Sequence, residues 1–380
     1  MATCLRCHHF FDRAAELARS VDMAWAVAIL VLLIPANLLP VASTSFGSVT
    51  HYAWIASMAT AVWAQRWPVL GLMLGAYTVV FPFIWVSLLT VVLVTLHTRR
   101  KPAWLGRAFR YAQSIHLWAM PDVLVIAGFV IYMRTSQQLT TRLQPGGWCL
   151  IGAGLLALLW PRIVAPHAIW SAIAPDLDPP KNELSVSCVA CGLVVPIARV
   201  DEPCPRCRRR LRLPDRSDIR RSAALVATGY FLFFLAYYYP MSYTIQPNGR
   251  IDRTIFTGMK ELIQAGFWYL GVIILIASFL IPLLKLIGLT WLLISASRRS
   301  RSRLVFKTRL HRLIHHIGRW SNIDPFIVAM SVPLMSFPGI VSVHATTAAL
   351  PFTVIVAVTM VAARSFDPRL LWTAGETARD

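Results

Sequence analysis

Eight apolar stretches punctuate this chain, and they leave it few ways to fold. Their limits are close to residues 24–45, 68–97, 120–133, 147–165, 222–245, 267–296, 323–340 and 348–364. A helix needs roughly 20 apolar residues to cross the hydrocarbon of a bilayer. The second and sixth stretches exceed that and must tilt or project from the bilayer. The third and seventh are short, so six spans with two re-entrant pieces is the alternative to eight. With 57% hydrophobic and 14% charged residues and a mean hydropathy of +0.59, a soluble domain could not cover its own surface. The fold class expected is an all-α integral membrane protein.

The formal charge of +20 does not signal nucleic acid. Lys and Arg gather in alternate loops: 30 of the 37 lie in the N-terminal segment, residues 98–119, residues 162–221, residues 297–322 and the C-terminal tail. That asymmetry is the positive-inside signal, and it places both termini in the cytoplasm. The N-terminus carries no small-residue cleavage site after its apolar run, so the first span is expected to stay in the membrane.

The second half repeats the first. Leu38-Leu39-Pro40-Val41 matches Tyr238-Tyr239-Pro240-Met241, Leu70-Gly71 matches Leu270-Gly271, and Phe81-Pro82 matches Ile281-Pro282, all offset by 200. Trp118 and Asp122 match Trp320 and Asp324 at an offset of 202. The reading is two tandem four-helix transmembrane units, residues 21–166 and 216–372, followed by a tail at 373–380. An even number of spans per unit makes the copies parallel. Pro40, Pro82, Pro240 and Pro282 are expected to kink spans at matched places, with Asn37 near one kink.

Between the units, residues 167–215 hold Cys188-x-x-Cys191 and, after twelve residues, Cys204-x-x-Cys207. Two such pairs at this spacing wrap one tetrahedral Zn²⁺ on two knuckles. The core of this small cytoplasmic ribbon spans 185–213, and a module that size needs a metal to hold it together. Four cysteines leave no open coordination position, so the zinc is structural. Residues 1–20 carry Cys4 and Cys7, the remnant of a second ribbon lacking its first knuckle. Cys149 stands alone in an apolar run and reads as packing. Loops 98–119 and 297–322 mix basic with apolar residues and read as amphipathic helices on anionic lipid.

Few residues within the spans carry charge. Lys285 lies more than ten residues from either end of its stretch, too deep to reach the interface easily. Its counterpart in the first unit is Trp85, so the fold itself does not require a lysine there. Ser278 precedes Lys285 by two helical turns and Ser321 precedes Asp324 by one. Lys285, Asp324, Asp122, Ser278, Ser321 and Thr359 form the candidate polar cluster for transport. Hydroxyls of this kind also bond back to their own helix, which is the structural alternative for each. No G-x-x-x-x-G-K-[ST], H-E-x-x-H or G-x-S-x-G motif occurs, and no catalytic constellation is read.

The chain resembles the paraquat-inducible protein A family. The resemblance rests on I-P-A-N-L-L-P at 34–40, the ribbon cysteines, I-P-L-L-K-L at 281–286, R-W-S-N-I-D at 319–324 and S-F-D-P-R-L-L-W at 365–372. It implies an inner-membrane protein of diderm bacteria that works with a periplasmic MCE-domain partner forming a tunnel toward the outer membrane. The implied cargo is phospholipid or a similar lipophile. The alternatives are a non-transporting anchor for such an assembly, or a membrane metal or redox sensor.

Overall fold

The computed structural model describes residues 19–98, 102–136, 139–164, 166–174, 184–247, 249–264, 266–298, 302–337 and 341–373. Cys4 and Cys7 lie outside the described residues. The first unit runs α1 (Arg19–Leu38), β1 (Ala42–Phe46), β2 (Val49–Ala53), α2 (Ile55–Ala64), α3 (Pro68–His97), α4 (Leu105–His116), α5 (Pro121–Thr135), β3 (Thr140–Leu143) and α6 (Pro145–Ile163). Helix α7 (Pro166–Ile173) and the hairpin β4 (Ser185–Ser187)–β5 (Val194–Pro196) follow. The second unit runs α8 (Arg216–Tyr238), β6 (Ser242–Gln246), β7 (Gly249–Arg253), α9 (Ile255–Gln264), α10 (Trp268–Ser297), α11 (Leu304–Ile317), α12 (Ile323–Met335), β8 (Ser342–Ala345) and α13 (Ala349–Ser365). A short helix α14 (Leu370–Thr373) ends the described chain.

Element order repeats between the units, and so does strand pairing. Each unit carries a three-stranded antiparallel sheet, ordered β2-β1-β3 and β7-β6-β8. Ala42 faces Ala53 and Leu143; Ser242 faces Arg253 and Ala345. The registers therefore agree at the offsets of 200 and 202 read from the sequence. The protein is mostly helical, in keeping with the all-α membrane class, and these short strands correct the limits expected for the spans. Residues 42–45 and 242–245 were assigned to the ends of apolar spans, but Pro40 and Pro240 lack the N–H that would continue the helix, so α1 stops at Leu38 and α8 at Tyr238. The Ser/Thr- and aromatic-containing segments beyond them suit strands. Pro40 and Pro240 thus end helices rather than kink them.

Among the described residues, six helical segments are long and apolar enough to cross a membrane: Val21–Leu38, Pro68–His97, Leu105–Thr135, Pro145–Ile163, Arg216–Tyr238 and Trp268–Ser297. The protein is a multi-pass membrane protein. Helix α13 is apolar but shorter, at 17 residues, and α12 has 13.

Both long helices break their regular winding at the same place. Helix α3 has a π turn at Ala76–Val80 and α10 has one at Leu275–Leu280, each just ahead of a proline, Pro82 or Pro282. Proline cannot donate to the carbonyl four residues earlier, so the wider turn arises where the ladder is already interrupted. At this level the neighbouring short helix begins: the Met120 N–H, ahead of α5, donates to the Tyr77 carbonyl within the π turn at 3.3 Å.

Helix α12 carries the interface between units. Nearly all of its residues are buried, and it packs against α5 and α2 of the first unit as well as β8 of its own. Equivalent positions meet across this interface. Asn322 Nδ2 donates to Met120 Sδ at 3.1 Å, and a Cβ on Gly128 would stand 3.2 Å from Met330 Cε. Residues 120 and 322, like 128 and 330, are partners under the repeat.

Candidate functional site

The polar centre is built where the α10 π turn meets the start of α12. Pro282 leaves the Ser278 carbonyl without its helical donor, and the Tyr237 hydroxyl of α8 donates to that carbonyl. The Asp324 carboxyl, in the first turn of α12, faces the Ser278 hydroxyl. A carboxylate there meets the positive end of the helix dipole. Asp324 Oδ2, Ser278 Oγ and Ser321 Oγ are buried and close no hydrogen bond among the described residues. Asp324 also lines a small cavity that runs toward Arg134, Arg253 and the sheet. Asp122 occupies the equivalent first-turn position of α5 and is likewise buried.

Lys285 sits two turns further along α10, buried to 3% exposure. Its ammonium lies beside Gly318, where an added Cβ would come within 2.8 Å of Nζ. It borders a void of about 10 Å³ with His315, Met360 and Arg364, room for no more than a single water. No ion pair joins Lys285 to Asp324 among the described residues, and Lys285 Nζ closes no hydrogen bond there. The sequence cluster therefore divides. Asp324, Ser278 and Tyr237 form one group, and Lys285 stands apart toward the ribbon side. Thr359 belongs to neither: its hydroxyl donates to the Ile355 and Val356 carbonyls of its own helix.

The cysteines converge. All four Sγ atoms of Cys188, Cys191, Cys204 and Cys207 lie within 4.8 Å of one another, and every one of these residues is buried. Cys188 and Cys207 Sγ are 3.6 Å apart, Cys191 and Cys204 Sγ 3.7 Å. A tetrahedron with metal–sulfur bonds of about 2.3 Å has edges of about 3.8 Å, so the set fits a metal and is far too open for disulfides. Each knuckle turns through a residue in the left-handed region directly after its second cysteine, Gly192 (φ 71°) and Arg208 (φ 59°). This buried Cys4 group can hold a metal ion.

The ribbon is clamped from two sides. A Cβ on Gly106 of α4 would fall 1.9 Å from the Arg206 carbonyl, so the helix meets the second knuckle backbone to backbone. Arg110 on the same helix donates to the Cys207 carbonyl at 2.9 Å. From the second unit, Arg369 is held by Asp367 and donates to the Ser187 and Arg212 carbonyls at 2.7 and 3.1 Å.

Sequence reasoning missed two features. Tyr237 does not stand out within the run Tyr237-Tyr238-Tyr239, although the repeat pairs it with Asn37, so both units put a polar side chain three residues before the helix-ending proline. Asn37 bonds within α1, to the Leu33 carbonyl, whereas Tyr237 reaches across to α10. The second feature is Glu261, which bridges Arg134 of the first unit (2.7 Å) and Arg253 (3.5 Å). Its members are scattered along the chain, and no local spacing announces them.

Curated proteins match this chain in sequence, two of them along nearly its whole length. The "Intermembrane transport protein PqiA" of Escherichia coli (strain K12) is 25% identical over 382 residues, covering 98% of this chain and 90% of that one. A "Probable intermembrane transport protein" of Haemophilus influenzae is 22% identical with the same coverage. The "Lipophilic envelope-spanning tunnel protein A" of Escherichia coli (strain K12) is 26% identical over 262 residues, 68% of this chain and 61% of that one. No solved structure matches. The family model for paraquat-inducible protein A matches residues 20–174 and again 219–376, one match on each structural unit. With the repeated units, the intervening Cys4 group and both matches in agreement, the chain belongs to the paraquat-inducible protein A family.

Proposed function

We propose that this protein is the inner-membrane component of a system that moves phospholipid, or a similar lipophile, between the inner and outer membranes. The observation that carries the reading is the pair of separated, buried polar groups in the second unit, Lys285 and Asp324–Ser278. Buried charges within membrane helices are costly, and the first unit, with Trp85 in place of Lys285, does without the lysine. A cavity of about 510 Å³ between α5, α6 and α12, walled almost wholly by apolar side chains such as Leu124, Phe129, Trp148 and Leu334, offers room for acyl chains at the interface between the units. The names of the similar proteins point the same way.

In this reading eight helices cross the membrane, with the short α5 and α12 starting at mid-depth and α13 as the eighth. The ribbon and both termini face the cytoplasm and the two sheets face the periplasm, as the distribution of Lys and Arg requires. The cysteines hold structural Zn²⁺, and residues 21–166 and 216–372 are the two transport units. A periplasmic MCE-domain protein seats on the sheet side, where β7 is exposed along most of its length. Lys285 attracts the lipid phosphate, and protonation of Asp324 changes how the centre is held, so that binding and release alternate.

Reconstitution with the periplasmic partner and labelled phospholipid tests this. Lys285→Ala and Asp324→Asn should each abolish transfer, at least about tenfold, while the protein accumulates normally. Normal transfer by both variants leaves the anchor reading, in which changes to loop 246–266 and not to the centre disrupt the assembly.

A further inference from the structure

A second cavity lies on the ribbon side and adjoins the small void beside Lys285, with which it shares His315 and Arg364. It has a volume of about 750 Å³ and is enclosed by α4, α6, α11, the end of α13 and the first knuckle of the ribbon, Val189 and Ala190. Its charge is of one sign. Arg110, Arg209 and Arg364 line it, and no Asp or Glu does among the described lining residues. Arg209 of the ribbon is near enough to Arg364 of α13 for the two to repel. Two of them meet uncharged partners: Arg110 donates to a ribbon carbonyl and Arg364 to the Ser114 carbonyl at 3.4 Å. Like charges are costly to gather in a partly desolvated space unless an anion joins them.

The imidazoles of His116, His167, His311 and His315 also reach the cavity. Burial holds His311 below the usual imidazole range, with Asp367 and the Ala363 carbonyl opposing that shift and Arg312 adding to it. Asp367 is itself engaged by Arg369. The fixed charge of the cavity thus comes from the three arginines, and His311 contributes as a neutral hydrogen-bonding ring.

The inner end is different. Trp85 forms the floor, with its ring 4.5 Å from that of His116 and 6.1 Å from that of Trp160. Trp85 lies twelve residues before His97, the ribbon-side end of α3, which is about 18 Å of helix. The cavity therefore passes from guanidinium groups at the ribbon to aromatic rings near the middle of the bilayer. That gradient matches an amphiphile with an anionic head.

We propose that this cavity binds the phosphate head of an anionic lipid between Arg209 and Arg364, with an acyl chain lying against Trp85 and Trp160. The site brings together both units and the ribbon, and it does not require the chain to transport anything. The same arginine pair also suits a soluble phosphate, so the source is a matter for experiment.

The test uses the full chain in mild-detergent micelles, titrated separately with dioctanoyl phosphatidylglycerol, dioctanoyl phosphatidylcholine and inorganic phosphate, with binding read by native mass spectrometry. Phosphatidylglycerol should bind the wild type, and Arg209→Gln with Arg364→Gln should weaken it about tenfold or more, the scale of losing charge-assisted contacts. Arg250→Gln, on the far sheet side, should leave it unchanged, and Arg209→Lys with Arg364→Lys should retain much of it. Saturable, arginine-dependent binding of inorganic phosphate alone would assign the same site to a soluble anion and overturn the lipid. Equal binding of phosphatidylglycerol by wild type and the Gln variant, or no preference over phosphatidylcholine, would overturn the site. Because Arg364 also borders the void beside Lys285, Arg209→Gln alone separates loss of this site from loss of transfer by the Lys285 and Asp324 variants.

Discussion

Tyr237 and Pro282 act on one carbonyl. The proline removes the helical donor of Ser278, and the tyrosine hydroxyl replaces it from another helix. Tyr237→Phe keeps the ring, which packs against Phe233, Phe279 and Phe352, and deletes only that bond. It should cost about 1–3 kcal/mol, because a buried acceptor is left unmet, and should be seen as a lower midpoint of thermal unfolding in detergent. Of the residues at this centre, Lys285 and Asp324 were legible because charge is rare in an apolar run. The separation between them was not. It depends on α12 entering beside Ser278, two turns before the lysine, and on Gly318 letting the backbone approach the ammonium. Thr359 looked equally suitable by depth, but a hydroxyl in a helix has carbonyls three and four residues back within reach.

At the scale of elements, the four-cysteine group was legible, since two CxxC pairs have few uses at such spacing and the four sulfurs do converge. Its seating was not, because contacts with α4 and with the segment after α13 join residues far apart in sequence. Gly106 is the sharpest point of that seating. Gly106→Ala should push the second knuckle off α4, because the new methyl group would run into the Arg206 carbonyl rather than a movable side chain. Trypsin should then cut faster within Arg206–Arg212, while the metal content read by plasma mass spectrometry stays that of the unaltered protein. Cys191→Ser, in contrast, should lose the metal itself. The strands were missed for a related reason: β1 and β6 are short, lie directly after an apolar helix and carry enough apolar residues to extend a hydropathy window past the proline that ends it.

For the whole molecule, the repeat read from a handful of matched dipeptides proved to extend to strand register and π turns. What it left open was how the units meet. Helix α12 is buried against the first unit along with its own, and Glu261 ties Arg134 to Arg253 across the boundary. Neither unit should therefore be stable alone. Residues 184–380 expressed without the rest should aggregate or be degraded, whereas co-expression with residues 1–174 should restore a monodisperse complex by size-exclusion chromatography.

Contacts between equivalent residues, Met120 with Asn322 and Gly128 with Met330, have one further meaning. Such self-matching pairs arise close to a pseudo-two-fold axis between the two units. The arrangement is the one two protomers present at a two-fold interface, here within a single chain, with the boundary between the copies running through the core. A single chain frees the two copies from identity. A symmetric dimer could place a lysine at position 285 only by placing another at 85; the single chain keeps one lysine and one tryptophan, and so can bind differently on its two sides.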